Sequence, residues 1–169
     1  MNHTTPPVEQ ARQRLKEIIQ TNSITHGDFT LASGLKSTYY IDGKMTTFDA
    51  EGSYLVGLLM LDEIKKLNME IDSVGGPTMG ADPIVTGVGI ASHLKSDPMR
   101  LFAVRKKTKG HGAQKLIEGN FKEGDRVVIV EDVITTGGSI FQAIEAVEEA
   151  KGTVEAVIVV VDRMQGGKE

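Results

Sequence analysis

The sequence contains no cysteine, which excludes disulfide bonds and metal sites built on thiolates. No apolar run approaches the length of a membrane-spanning helix, and the polar segment 1–7 lacks the apolar core of a secretory signal peptide. The 19 Lys and Arg residues are outnumbered by 23 Asp and Glu, and the resulting net charge of −4 leaves no general basic surface for nucleic acid. We therefore expect a cytoplasmic enzyme with neither a membrane nor a nucleic-acid partner.

The chain has 169 residues, of which 40% are hydrophobic and 25% charged, as is typical of a globular domain with a core. Apolar spacing predicts helices over residues 8–19, 48–67, 82–94 and 137–151. Short apolar runs predict strands over residues 29–31, 38–41, 71–74, 101–104, 126–130 and 154–161.

The order of these elements indicates the fold class. Strands that alternate with helices predict an α/β fold in which a mainly parallel central sheet is flanked by helices. Residues 1–45 do not follow this alternation, so we expect them to form an N-terminal helix and a small hood subdomain. Residues 46–169 form the predicted α/β core, and the whole chain is one compact domain.

The segment from Val127 to Ser139 is the most informative part of the sequence. Four β-branched apolar residues predict a strand buried on both faces, and Glu131 and Asp132 are expected at its C-terminal end, before a turn of hydroxyls and glycines. Small residues at a helix N-terminus suit a phosphate, whereas carboxylates accept hydrogen bonds from hydroxyls. Ribose 5-phosphate meets both demands. The alternative is a polar turn before a helix capped by Thr136 or Ser139, although a cap needs only one hydroxyl.

Two further loops follow predicted strands. The glycine-rich loop 75–82 opens a helix, so its amides favour a pyrophosphate; the alternative is a tight turn that places Asp82 near a helix N-terminus. The basic loop 105–112 contains Arg105, Lys106, Lys107, Lys109 and His111. It is typical either of a solvated loop or of a cationic flap that stabilises a departing pyrophosphate, and Gly110 and Gly112 favour the flap.

Aromatic and basic residues elsewhere are less specific. Arg163 follows the last predicted strand and offers a bidentate fork for a carboxylate; the alternative is a surface arginine near the chain end. Tyr39 and Tyr40 are adjacent on a predicted strand, where packing across strands is the commoner role. An aromatic ring near a flat base would stack on it.

Taken together, these segments resemble the orotate phosphoribosyltransferases, a branch of the type I phosphoribosyltransferases. The Glu-Asp and Thr-Thr-Gly-Gly-Ser elements of segment 127–139 are similar to the motif that binds 5-phosphoribosyl 1-pyrophosphate (PRPP). The hood sequence 29–42, the basic loop and Asp162-Arg163 point to orotate among the possible bases. The resemblance implies a type I phosphoribosyltransferase-like fold and transfer of ribose 5-phosphate from PRPP to orotate, giving orotidine 5′-monophosphate and pyrophosphate in pyrimidine synthesis.

The resemblance also implies roles for individual residues. Glu131 and Asp132 would hold the ribose hydroxyls, with Mg²⁺ bound near them mainly through PRPP. PRPP would otherwise contact Arg105, Lys106, Lys109, His111, Val133, Ile134, Thr135, Thr136, Gly137, Gly138 and Ser139. Catalysis would rest on Lys106, Lys109, His111 and Asp132. Orotate would contact Thr135, Arg163, Tyr39 and Tyr40. The family forms homodimers in which the basic loop 105–112 reaches the neighbouring site, so a homodimer is expected.

The sequence departs from the family pattern at two positions. Some relatives carry a lysine in the pyrophosphate loop, where this chain has Thr78-Met79-Gly80, and some carry one in the hood, where it has Ala32. Lys36 and Lys44 are alternative sources of that charge. Two other functions stay open at this point: transfer to a purine or uracil, and a regulatory protein that senses PRPP and binds RNA or DNA, which would call for a basic surface away from the site.

Overall fold

The computed structural model describes residues 5–30, 36–106, 116–164 and 167 of the chain. The helices are α1 (Val8–Ile18), α2 (Lys44–Thr47), α3 (Ala50–Lys66), α4 (Asp82–Leu94) and α5 (Gly138–Glu149), and a π-helical turn follows α1 over Ile19–Ser23. The strands are β1 (Ile24–Thr30), β2 (Lys36–Ile41), β3 (Ser73–Pro77), β4 (Arg100–Val104), β5 (Ile117–Gly119), β6 (Arg126–Ile134) and β7 (Thr153–Asp162). None of the described helices is long and apolar enough to cross a membrane.

The fold is built around one central sheet, as the alternation of strands and helices predicts. Its five strands lie in the order β5-β4-β3-β6-β7. The strands β4, β3, β6 and β7 run parallel, and β5 pairs antiparallel with β4 at one edge. The predicted α/β fold with a mainly parallel sheet is therefore confirmed.

Strand β6, which lies between β3 and β7, is buried on both faces because helices cover both sides of the sheet. Val128 and Val130 pack into a core cluster with α1, α3 and α4. Val127 and Ile129 pack into a second cluster with α5. All four side chains are fully buried, which confirms the interpretation of this apolar run.

The N-terminal part of the chain divides into two packing environments. Helix α1 contributes Ala11, Leu15 and Ile18 to the same cluster as α3, so it belongs to the core. Strands β1 and β2 form a separate antiparallel sheet, the hood hairpin, which starts with the pair Ile24–Ile41. Strand β1 begins before the predicted residue 29 and ends at Thr30.

Two predicted strand ends were wrong. The prediction ended β6 at Val130, with Glu131 and Asp132 at its C-terminal end before the turn, but β6 continues through both acids to Ile134 because β7 keeps pairing with it. The prediction also ended the earlier strand before Gly75, whereas β3 extends to Pro77. Its glycines fit there because a Cβ on Gly75 would collide with the Phe102 ring, and one on Gly76 with the Val130 carbonyl.

Candidate active site

The carboxyl ends of the parallel strands bring the predicted site segments to one edge of the sheet, where ligands bind in open α/β folds. Strand β3 stops pairing with β6 at Ile129, and β6 runs on to Ile134. The acid pair, Glu131 and Asp132, therefore lies on a stretch of β6 that pairs only with β7 among the described strands. The missing neighbour leaves room for the pyrophosphate loop 75–82 above the acid pair.

The acid pair is buried, and burial affects the protonation of Glu131. Glu131 and Asp132 are only 6% and 7% exposed. Burial, together with the hydrogen bond and the negative charge of Asp132, raises the pKa of Glu131 to about 8, although the Asp132 amide and Ser139 oppose the shift. The Ser139 hydroxyl donates to Glu131 Oε2 at 3.2 Å, and the Val133 amide donates to Asp132 Oδ1 at 2.9 Å. Two buried carboxylates thus share a site that contains few donors.

Two glycines lie directly against the acid pair. A Cβ on Gly80 in the pyrophosphate loop would meet the carboxylates of both Glu131 and Asp132. A Cβ on Gly43, just after the hood hairpin, would lie 2.7 Å from Asp132 Oδ2. The acid pair is therefore enclosed by the pyrophosphate loop on one side and the hood on the other. In both places the backbone comes so close to the carboxylates that a side chain would not fit.

The segment after β6 leads into the N-terminus of α5. Gly137 has φ of 82°, in the left-handed region that glycine tolerates best, and precedes α5 without a side-chain cap. Neither predicted cap, Thr136 or Ser139, forms a capping hydrogen bond. The first amides of α5 lack partners within the helix and face the turn that Thr135 and Thr136 form. We call residues 135–139 the phosphate loop.

Arg163 sits beside the phosphate loop with unused donors. Its amide donates to the Ile134 carbonyl at 3.1 Å, which places it next to Thr135. Its Nε and Nη2 atoms are buried and have no hydrogen-bond partner among the described residues. An arginine held in this way offers donors to an acceptor that the described part of the chain does not supply.

The remaining predicted residues are less completely placed. Arg105 and Lys106 are exposed at the end of β4, and Arg105 Nη1 lies 3.4 Å from Glu118 Oε1. Lys107, Lys109, His111 and the rest of the basic loop lie outside the described residues, as does Ala32. The pyrophosphate loop is anchored by the Thr78 amide, which donates to the Val104 carbonyl at 2.9 Å.

The two tyrosines lie on opposite faces of β2, since neighbouring strand residues alternate. Tyr40 is exposed and packs near Phe29, with ring centroids 5.7 Å apart. Tyr39 is half-buried and pairs in register with His26. One face of β2 can therefore present only one of the two rings to a given ligand.

Sequence reasoning missed the contribution of the turn after the hood hairpin. Gly43 touches Asp132, and the charge of Asp132 acts on Lys44. The Asp42-Gly43 dipeptide is a turn signal, but nothing in the sequence indicates which strand of the core the turn meets. Gly80 was seen only as part of a glycine-rich loop.

Comparison with known proteins identifies the family to which the chain belongs. Residues 55–169 match the family model of the phosphoribosyl transferase domain. The chain is 43% identical to an orotate phosphoribosyltransferase of Synechocystis sp. over 98% of its own length and 82% of that protein. It is 44% identical to the enzyme of Aquifex aeolicus over 94% of the chain and 87% of that protein.

Solved structures point the same way. The Mycobacterium tuberculosis orotate phosphoribosyltransferase in complex with Fe(III) dicitrate superposes with a TM-score of 0.79 at 40% identity, covering 93% of this chain and 87% of that one. A structure of the same enzyme with PRPP has a TM-score of 0.74 at 36% identity and covers 93% of this chain and 86% of that one. The chain therefore belongs to the orotate phosphoribosyltransferases, within the phosphoribosyl transferase domain family.

Proposed function

We propose that the protein transfers the ribose 5-phosphate group of PRPP to orotate, giving orotidine 5′-monophosphate and pyrophosphate. The observation that carries this proposal is one edge of the sheet with three complementary parts: a buried acid pair, a glycine-rich phosphate loop, and an arginine with unpartnered donors. Each part suits a different portion of the two substrates. Family membership with relatives of this activity supports the same reaction.

The acid pair and the phosphate loop bind the two ends of the ribose phosphate. The carboxyl oxygens of Glu131 and Asp132 accept hydrogen bonds from the ribose hydroxyls. The 5-phosphate lies at the N-terminus of α5, where the amides and hydroxyls of Thr135, Thr136, Gly137, Gly138 and Ser139 donate to it. Val133 and Ile134 lead from one group to the other along β6, which fixes the distance between the sugar and phosphate contacts.

Arg163 selects the base. Orotate carries a carboxylate that neutral pyrimidines and purines lack, and the buried Nε and Nη2 of Arg163 need such an acceptor. Thr135 lies beside Arg163 and contacts the same molecule. Of the two tyrosines, Tyr40 is the exposed one, so stacking on the base falls to Tyr40 more readily than to Tyr39.

The reaction is a substitution at C1 of the ribose, where the bond to pyrophosphate breaks and the bond to orotate N1 forms. Positive charge grows on the sugar and negative charge on the leaving group, so positioning and electrostatic stabilisation supply most of the catalysis. Lys106, Lys109 and His111 of the basic loop stabilise the departing pyrophosphate. A Lys109→Ala variant is expected to lose far more turnover than PRPP affinity, and equal losses would contradict a transition-state role.

Mg²⁺ fits this site as a companion of PRPP. The described residues contain no cluster of three or more side chains arranged to hold a metal, whereas Mg²⁺ commonly takes one or two carboxylates and completes its shell with substrate phosphates and water. Glu131 and Asp132 supply such carboxylates. A bound Mg²⁺ would neutralise part of the pyrophosphate charge.

A homodimer is supported by an exposed apolar groove between α3 and α4. The groove has a volume of about 720 Å³ and is lined mainly by apolar side chains, among them Phe48, Tyr54, Met79, Ile90 and Leu94, and all five are exposed. Apolar patches of this kind mark interfaces. Because Met79 belongs to the pyrophosphate loop, a partner seated here lies near the active site, as expected if Arg105 of its basic loop acts across the interface. Sedimentation at several concentrations tests the dimer.

The deciding experiment measures pyrophosphate release with PRPP and Mg²⁺ while orotate, uracil, hypoxanthine and adenine are offered in parallel. Turnover with orotate alone is the expected result. Turnover with another base would keep the PRPP site and overturn the orotate assignment. Absence of turnover with all four would overturn the proposed activity.

A further inference from the structure

The acid pair and the pyrophosphate loop 75–82, where the pyrophosphate of PRPP is expected, carry no positive charge of their own. The acid pair contributes two carboxylates, and Thr78-Met79-Gly80 of the pyrophosphate loop contributes no cation. Arg163 lies beside Thr135, on the far side of the phosphate loop from β3. A highly anionic ligand over the acid pair therefore needs cations from other elements, and the basic loop 105–112 is one of them.

The turn after the hood hairpin brings such a cation to the acid pair. Gly43 lies against Asp132 Oδ2 closely enough to exclude a side chain, and the next residue is Lys44. Lys44 Nζ lies 3.0 Å from Asp42 Oδ1, and its side chain is 46% exposed. Its ammonium is therefore held at the rim of the site, accessible to solvent and to a ligand.

The backbone that carries Lys44 is firmly anchored. Lys44 begins the short helix α2, whose Thr46 and Thr47 are each 1% exposed. The Thr46 hydroxyl shares a hydrogen bond of 2.7 Å with the buried Ser23 hydroxyl, and the Asp42 amide donates to the Ser23 carbonyl at 2.9 Å. The position of the Lys44 stem beside Asp132 therefore follows from buried contacts.

Electrostatics connect Lys44 to the acid pair. The hydrogen bond to Asp42 raises the pKa of Lys44, and the charges of Asp42, Asp132 and Tyr40 raise it further, against the lowering effect of burial. The ammonium is thus charged at physiological pH and lies within the field of Asp132. Gly80 of the pyrophosphate loop approaches the other carboxylate oxygen of Asp132, so Lys44 and that loop flank one side chain.

The other candidate cation of the hood, Lys36, occupies a different place. Lys36 starts β2, and its Nζ donates to Thr30 Oγ1 at 2.9 Å across the hairpin. Ile41, at the other end of β2, is five positions further on, roughly 16 Å along an extended strand. Lys36 is thus remote along β2 from the turn that touches Asp132.

We propose that Lys44 is a PRPP-binding residue, whose ammonium exchanges Asp42 for an oxygen of the pyrophosphate group when PRPP binds over the acid pair. This inference rests on the proposed use of PRPP. In this chain Lys44 takes the part of the lysine that the pyrophosphate loop lacks, and Asp42 holds the free ammonium in place. The protein thus supplies the missing charge from the hood.

The test is PRPP affinity, measured by titration calorimetry with Mg²⁺ and without orotate, for four variants. Lys44→Ala is expected to weaken PRPP binding about tenfold or more, because a charge-assisted hydrogen bond is lost. Lys44→Arg should stay within about threefold of the parent protein, because the charge is kept. Lys36→Ala removes the same charge from the same hairpin and should change the affinity less than about twofold.

Asp42→Asn separates ligand binding from a structural role of the Asp42–Lys44 pair. Asp42 Oδ1 accepts a hydrogen bond from the Lys44 amide at 3.1 Å, and an asparagine oxygen can still accept this bond. Asparagine has no negative charge, however, so the Lys44 ammonium loses its ion pair. If Lys44 binds PRPP, this variant binds PRPP as well as the parent protein or better. If the pair only braces the turn, Asp42→Asn and Lys44→Ala lose affinity alike, and the proposal is overturned.

Two further outcomes are decisive. Unchanged PRPP affinity in Lys44→Ala, or an equal loss in Lys36→Ala, would overturn the proposal, and thermal unfolding of each variant shows whether the fold is intact. A parent protein that binds PRPP but does not use orotate would contradict the proposed reaction while leaving the Lys44 result valid. A parent protein that does not bind PRPP would overturn both.

Discussion

The two ends of the same parallel strands handle charge in opposite ways. At the amino end, each charged group has a partner of opposite sign: Arg100 pairs with the buried Asp125 and lies 3.7 Å from Asp72, and Arg126 Nε donates to Glu155 at 2.8 Å. Backbone amides add to this, since the Arg126 amide donates to Asp72 at 2.9 Å. Each of these charges has a partner of opposite sign, although Arg100 Nε is itself buried without a hydrogen-bond partner among the described residues.

At the carboxyl end the charged side chains lack partners of opposite sign among the described residues. Glu131 and Asp132 are two acidic side chains next to each other in a buried position, and Arg163 has buried donors without partners among the described residues. Burying such groups costs stability, and this cost is retained where function requires the groups. The difference teaches that charged side chains without an opposite partner, rather than polar residues or single unmet hydrogen bonds as such, mark the end of the sheet that binds a ligand.

The largest expected effect comes from removing one charge at the carboxyl end. Asp132→Asn keeps the shape but weakens acceptance from the ribose hydroxyls, so kcat/KM should fall by about 10³-fold. The free energy of unfolding should stay the same or rise, because the cost of burying an ionisable group without an opposite partner disappears. Pyrophosphate release and urea unfolding measure the two quantities. A variant that lost stability and activity together would contradict the comparison.

The matched change at the amino end should give the reverse result. Burial tends to raise the pKa of Asp125, but hydrogen bonds from Arg100 and the Lys122 amide outweigh it and lower that pKa. Asp125→Asn should therefore lower the free energy of unfolding by about 1–3 kcal/mol, while kcat/KM of the folded protein stays within about twofold. Urea unfolding beside the Asp132→Asn variant provides the check. A large loss of turnover in folded Asp125→Asn would remove the distinction between the two ends.

Much of this architecture could be predicted from the sequence because its signals are local. The Val127–Val130 run predicts a strand covered on both faces, and helical spacing predicts α3 and α4. The type of side chain also indicated that the acid pair and the phosphate loop belong together. These features depend on residues that are neighbours in the chain.

The rest depends on contacts between distant segments. Strand β6 extends through the acid pair because β7 pairs with it as far as Asp162, and β5 forms only by pairing with β4. The approach of Gly43 to Asp132 joins residues that lie far apart in sequence. No periodicity reports such contacts, so the hood turn and the unpartnered donors of Arg163 became visible only in the structure.

A smaller loss of activity is expected when Arg163 is replaced. This change tests whether the buried donors of Arg163, which have no partner among the described residues, serve a ligand at the carboxyl end of the sheet. Arg163→Gln should raise the KM for orotate about 10–30-fold, because a charged bidentate contact is lost. PRPP affinity should hold, and stability should be equal or higher, since a buried charge without a partner is removed. Steady-state kinetics with each substrate varied give the answer. An equal rise in the KM for PRPP would assign Arg163 to the sugar phosphate instead.

The smallest effect concerns pH and separates the two ends by the sign of their pKa shifts. Glu131 has a pKa of about 8 in the folded protein and one near 4.5 when unfolded. Between these values the folded state holds a proton that the unfolded state has released, so stability falls as pH rises through this window. The pKa of Asp125 is lowered instead. The stability that Asp125 contributes is therefore lost only in more acidic solution, and Asp125 causes no change of stability with pH between pH 6 and pH 7.

Glu131→Gln should remove a decline in the free energy of unfolding of about 1 kcal/mol between pH 6 and pH 7. Urea unfolding at both values measures it, with Glu145→Gln on the exposed face of α5 as the matched control; an unchanged slope in Glu131→Gln would mean that another group causes the decline.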